Sequence, residues 1–180
     1  MRIQEGQPAR PFQVKDIQDR LITLEDFRGQ KLLLSFFRYA SCPLCNLRVR
    51  HLILRHQEFS DKGLRVVGFF ESPKESILRY VGRQNPPFPI VPDPRCEVYD
   101  LYGVQASWLA YLKAGLRPKT MFDAMFKEGF KPGKMEGRIA MVPADFLIGP
   151  DLTVRKAYYG KDISDHMPMA EIDRFLSHEG

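Results

Sequence analysis

The sequence predicts an α/β fold organised on a parallel sheet, and three observations predict it. An unbroken apolar run, Leu32-Leu33-Leu34-Ser35-Phe36-Phe37, has the character of a strand covered on both faces. A segment with helical periodicity from Pro43 to about Ser60 follows, then a second apolar run from Leu64 to Phe70, then a second helical segment, so that strand, helix, strand, helix gives the βαβ pattern of parallel pairing. Between the first strand and the first helix stands Cys42-Pro43-Leu44-Cys45. Topology and chemistry therefore meet at one junction.

The elements follow in chain order. Phe12 to Val14 and Leu21 to Leu24 read as the strands of a short hairpin with the polar residues 15 to 20 between them, and Leu24 to Gly29 reads as a brief helical turn closed by glycine. The Leu32 run is the central strand. Pro43 suits the first position of the helix after it, because its missing N–H would have no partner there in any case. Asp61-Lys62-Gly63 ends that helix. Ser72-Pro73-Lys74-Glu75 has the spacing of a capping box with proline at the first helical position, which predicts a helix to about Gly82. Asn85 to Pro94 carries five of the 14 prolines, leaving at most Ile90 and Val91 as a short strand. Arg95 to Tyr102 reads as a short helix capped by Gly103, and Cys96 within it as a structural or exposed thiol.

Residues 105 to 137 break the alternation. Trp108, Leu109, Tyr111 and Leu112, then Met121, Phe122, Met125, Phe126 and Phe130, predict one or two amphipathic helices inserted into the fold. Such a surface suits a hydrophobic substrate wall or a homodimer contact. Covering the domain's own core is the favoured reading. Ala144 to Ile148 and Leu152 to Tyr159 then form a hairpin about Gly149-Pro150-Asp151, and Pro168 to His178 closes the chain as a helix with Ile172, Phe175 and Leu176 on one face.

The placement of the two cysteines defines the predicted chemistry. Cys42 falls at the cap of the helix and Cys45 one turn in, where free backbone N–H groups and the helix dipole stabilise a thiolate. At about 100° per residue, Val49, Leu52, His56 and Phe59 share the side of Cys45, so Cys45 points to the core and Cys42 is the more exposed sulfur. In a dithiol mechanism the exposed cysteine attacks and the sheltered one resolves the mixed disulfide. A zinc site built from Cys42, Cys45, His51 and His56 is disfavoured: two histidines five apart point about 140° from each other on a straight helix. His56 reads as a core histidine, and no metal or cofactor is expected.

Composition bounds the rest. One domain across residues 1 to 180 is the simplest division of a chain with 44% apolar and 27% charged residues. The formal charge of +5 is dispersed and no nucleic-acid motif is present, so a nucleic-acid partner is not expected. Neither a signal peptide nor an apolar stretch of membrane-spanning length is visible, which makes a cytoplasmic protein the expectation. Three cysteines cannot form a fully paired structural framework, so in a reducing compartment the C-x-x-C pair reads as catalytic or metal-binding rather than as a staple.

Specific stretches resemble a known family: FFRYASCPLC at the junction, DPRCEVYDLYGV in the middle and VPADFLIGPDLTV near the end are similar to the alkyl hydroperoxide reductase/thiol-specific antioxidant (AhpC/TSA) family. The resemblance covers nearly the whole chain outside residues 105 to 137 and is nearest to the peroxiredoxin-like subgroup that carries C-x-x-C. It implies a thioredoxin-like three-layer α/β/α sandwich in its peroxiredoxin form, with an N-terminal β-hairpin and a helical insertion. The implied activity is a thiol-dependent antioxidant oxidoreductase acting on a hydroperoxide or disulfide substrate and drawing on a thiol reductant such as the thioredoxin or glutathione system. A thioredoxin-like disulfide reductase, or a non-catalytic redox-sensing or partner-binding protein, are the alternatives.

Carried over residue by residue, Cys45 matches the peroxidatic cysteine of P-x-x-x-T-x-x-C, with Cys42 on the threonine position and Arg38 on the proline position. Pro143, just before the strand at Ala144, resembles the cis-proline that faces the dithiol in thioredoxins, and the arginine that supports the thiolate in ordinary peroxiredoxins is absent there. Arg38 or Arg48 is left to stand in as the cationic neighbour. Helix-cap logic thus makes Cys42 the attacking sulfur and the resemblance makes it Cys45, so the order of attack stays open. The expected site comprises Cys42 and Cys45, supported by Pro43, Arg38 and Pro143.

Overall fold

Two short strands open the chain, β1 (Gln13–Lys15) and β2 (Leu21–Thr23), paired antiparallel as the sequence predicts, and a 3-10 turn over Leu24–Phe27 follows. These and the elements below belong to a computed structural model that describes residues 1–114, 125, 127, 129, 130 and 132–177. The central strand β3 (Lys31–Phe36) leads into helix α1 (Pro43–Asp61), strand β4 (Leu64–Phe70), helix α2 (Lys74–Arg79) and strand β5 (Ile90–Pro92). Helix α3 (Glu97–Tyr102) and helix α4 (Trp108–Ala114) come next. Strands β6 (Ala144–Ile148) and β7 (Val154–Tyr159) and helix α5 (Met169–Ser177) complete the order.

The main sheet has the order β5-β4-β3-β6-β7. β3 pairs parallel with β4 and antiparallel with β6, which puts the Leu32 run in the middle of the sheet, where the sequence places it. Its side chains alternate between two cores. Leu33 joins Val49, Leu52 and Phe59 of α1, Ile77 of α2 and Ile172 of α5 on one face. Leu32, Leu34 and Phe36 join Tyr99 and Tyr102 of α3 and the N-terminal segment on the other. An apolar strand with no polar alternation is what this two-sided burial requires. Truncating a fully buried leucine such as Leu34 to alanine would cost about 2–5 kcal/mol.

Three sequence expectations are corrected in the framework. Ser72 does not cap α2: the N-cap is Pro73, without a side-chain cap bond, because the Ser72 hydroxyl accepts the Ala40 N–H at 2.9 Å instead. Cys96 precedes α3 rather than lying within it, in the left-handed region at φ 58°. The described part of α4 does not cover the core, since Trp108 (68% exposed), Leu109 and Leu112 face outward and only Ala110 is buried. Met121, Phe122, Phe126 and His178 lie outside the described residues. Among the described residues, no helix is long and apolar enough to cross a membrane.

Candidate active site

Parallel pairing brings the carboxyl ends of β3 and β4 side by side, with Phe36 opposite Phe69. Open α/β sheets place their sites at that edge. The chain leaves β3 through Phe37 to Ser41, and α1 starts at Pro43 with Cys42 as its N-cap in extended conformation, φ −67° and ψ 119°. The loop is held from several sides. Asn46 Nδ2 donates to the carbonyls of Ala40 (2.7 Å) and Cys42 (2.9 Å) and is itself held through its Oδ1 by Gln84 Nε2 (3.0 Å). Tyr99 Oη lies within hydrogen-bond distance of the Phe37 and Phe69 carbonyls, tying α3 to the ends of both strands.

Arg38 comes inward from this loop and is only 2% exposed. Its Nη1 lies 3.7 Å from Cys42 Sγ, its Nη2 donates to the Ile139 carbonyl, and its guanidinium sits over the ring of Tyr39 at 4.9 Å. The two thiols are reduced. They titrate in opposite directions. The Cys45 thiol donates to Cys42, and although burial opposes ionisation, Arg38 and the backbone N–H groups of Cys45 and Leu44 add to that donor and lower the Cys42 pKa to about 6. Burial pushes Cys45 well above the ordinary thiol range, and the neighbouring Cys42 adds to it. The arrangement is a thiolate and a thiol one helical turn apart, with a buried cation against the thiolate.

Cys42 is no more exposed than Cys45: both are 1% exposed. The expected exposure of the cap is lost because a segment about a hundred residues away folds over it. Ser41 Oγ donates to the Lys134 carbonyl at 2.6 Å, and Arg38 reaches Ile139 in the same segment. The core-facing positions of α1 follow expectation at Val49, Leu52 and Phe59, whereas His56 is half-buried against the Phe88 ring. Pro43 occupies the first turn of α1 as expected. Pro143 is buried just ahead of β6, but no cis peptide occurs among the described residues, so the likeness to a cis-proline stops at its position.

Residues that the sequence did not single out complete the site. Glu71, directly after β4, is buried, accepts the Arg138 N–H at 2.8 Å, and has one oxygen without a partner. Burial raises its pKa to about 7. On β6, Asp145 is fully buried and accepts bonds from the Ser35 hydroxyl and the Met167 N–H, with His166 Nδ1 at 3.0 Å. Burial pushes its pKa up, but His166, Arg48 and Ser35 outweigh that and hold it at about 2. A carboxylate immediately after a strand that parallels the central one is a signal available in the sequence. For Asp145 none was, because the residues around it read only as an apolar strand.

Residues 5–157 match the model of the AhpC/TSA family. Among curated proteins, the thiol-disulfide oxidoreductase ResA of Halalkalibacterium halodurans is 28% identical over 101 residues, 56% of this chain and 57% of that protein. Peroxiredoxin Bcp of Escherichia coli is 26% identical over 102 residues, 57% of this chain and 65% of that protein. The chain therefore spans less than two-thirds of the length of either relative. Among solved structures, peroxidoxin BcpB of Mycobacterium tuberculosis superposes with a TM-score of 0.68 over 97% of this chain and 95% of that one, at 16% identity. That likeness shows the peroxiredoxin form of the thioredoxin-like fold.

Proposed function

The chain belongs to the AhpC/TSA family, and from that premise we propose that it is a thiol oxidoreductase cycling between the dithiol and the disulfide of Cys42 and Cys45. The observation that carries the reading is the pairing of a Cys42 thiolate, 3.7 Å from Arg38, with a Cys45 thiol kept protonated one turn along the helix. Cys42 attacks. Cys45 resolves.

With a hydroperoxide, the Cys42 thiolate attacks one peroxide oxygen, the O–O bond breaks, and the departing alkoxide takes a proton from water. The Cys45 thiol then displaces water from the Cys42 sulfenic acid, forming the S–S bond. Arg38 meets the negative charge that develops at the reacting atoms. A thiol reductant returns two electrons by exchange at the disulfide. Burial of both sulfurs favours a small substrate over a folded protein disulfide.

The second reading, a disulfide reductase without useful peroxidase activity, is favoured by the thiol in place of the threonine hydroxyl and by the similarity to ResA. One experiment separates the two. Fully reduced protein is mixed with hydrogen peroxide, with an organic hydroperoxide and with a small disulfide, and free thiols are counted before and after. Rapid consumption of peroxide with loss of two thiols is the expected result. Slow consumption of peroxide beside rapid exchange with the disulfide would transfer the assignment to the second reading.

A further inference from the structure

One turn beyond the dithiol, a cavity of about 180 Å³ lies between Leu44, Leu47 and Arg48 of α1 and His166, Met167 and Pro168 in the segment leading to α5. Two of these side chains are built into it in an unusual way. Arg48 is 8% exposed, and its Nε and Nη2 are buried without a hydrogen-bond partner. The His166 side chain is likewise 8% exposed, and its Nε2 is buried without a partner. Asp145 attracts Arg48 but spends its oxygens on Ser35, His166 Nδ1 and the Met167 N–H. Buried guanidinium and imidazole nitrogens left unpaired are costly, so a site that retains both is suited to an anion that would pair them.

We propose that this cavity is a carboxylate-binding subsite that seats the acid end of a short-chain oxidised substrate beside the Cys42–Cys45 pair. The proposal rests on the dithiol reading of the site. Three properties select the ligand class. The planar guanidinium fork matches a carboxylate. The apolar wall of Leu44, Leu47 and Met167 disfavours a strongly hydrated dianion such as phosphate. Arg48 is six residues, about 9 Å of helix rise, from Cys42, and Leu44, between the two cysteines in sequence, lines the cavity.

The test compares two small disulfides of similar size, 3,3′-dithiodipropionate and bis(2-hydroxyethyl) disulfide, as oxidants of the reduced protein. In either case Cys42 attacks one sulfur of the probe, whose S–S bond breaks to release one thiol. Cys45 then releases the second and closes the protein disulfide, so the protein loses the two electrons the probe gains. Arg48→Gln is expected to lower the rate with the dicarboxylate about tenfold, the scale of one charge-assisted pair, and to leave the hydroxyethyl probe within a factor of two. Arg50→Gln, on the same helix, is expected to change neither. Equal effects of Arg48→Gln on both probes would overturn the subsite. His166→Gln carries the same expectation should the arginine variant fail to fold. Failure of wild type to react with either disulfide would leave the dithiol reading to the hydroperoxide assay above and the subsite to be judged by titrating the protein with propionate: saturable shifts of the His166 ring resonances support it, and their absence overturns it.

Discussion

Cys42 and Cys96 occupy the same formal position, the N-cap of a helix, and both are buried, yet their surroundings are opposite. The first turn of α1 carries no acidic residue, its backbone N–H groups at Leu44 and Cys45 serve the Cys42 sulfur, and Arg38 stands beside it. The first turn of α3 carries Glu97 and Asp100, and the Asp93 carboxylate has taken the N–H groups of Glu97 (2.9 Å) and Val98 (2.8 Å). Cys96 instead lies 3.9 Å from a Glu71 oxygen, and burial, reinforced by Glu71, pushes its thiol up to about 12. A helix N-terminus activates a cysteine only when its amides are unclaimed and the nearest side-chain charge is positive.

The strongest way to break this contrast is to remove the sulfurs one at a time. Cys42→Ser is expected to reduce turnover on the order of a thousandfold or more. Cys45→Ser should retain the first oxidation and lose one thiol per molecule, without cycling. Turnover that survived in both single variants would show that the pair is not the centre. Next in size is the cation: Arg38→Gln should raise the Cys42 pKa by about 1–2 units, as loss of an adjacent opposite charge does. Its iodoacetamide reaction at neutral pH should slow about two- to tenfold and recover as pH rises. In wild type the lowered pKa contributes stability above the ordinary thiol range that is lost as pH falls through about 6. Denaturant titrations should show that slope diminished in Arg38→Gln.

The sequence carried the side of this comparison that depends on local pattern. The apolar run of β3, the proline at the start of α1, the glycine closing α3 and the C-x-x-C junction are readable because each is decided by neighbours within a few residues. What was not readable depends on distant chain. Arg38 looks like an exposed loop arginine until the segment at Lys134 to Ile139 folds over it, and the same segment removes the expected exposure of Cys42. Ser72 fits a capping box by spacing, but the Ala40 N–H reaches its hydroxyl first. Cys96 sits in a helix-like run, and its left-handed backbone was not visible in residue type. The charge beside each cysteine is thus set by tertiary contacts, whereas their helix-cap placement is set by sequence.

Glu71 offers a milder perturbation that reaches the Cys96 side directly. Its pKa is raised to about 7, so the folded state prefers the neutral acid; that contribution to stability is complete below the ordinary carboxyl range and is lost as pH rises through about 7. Glu71→Gln resembles the neutral form at every pH. It should therefore become more stable than wild type as pH rises across that window, by on the order of 2 kcal/mol. Urea unfolding at the two ends of the window measures the difference, and a constant offset would mean that folding does not raise the Glu71 pKa.

The smallest expected effect is at Cys96 itself. Cys96→Ala removes a thiol whose surroundings hold it protonated at neutral pH, so turnover should stay within a factor of two and stability should fall by about 1 kcal/mol, the usual scale for losing one small buried side chain. The backbone at φ 58° is equally strained for cysteine and alanine, so that cost cancels between them. Mass spectrometry of native protein after brief alkylation gives the sharper readout: Cys42 should carry label while Cys96 does not. Labelling of Cys96 at a comparable rate would mean that Glu71 and the occupied α3 amides do not govern its reactivity, and the physical distinction between the two helix caps would then fail.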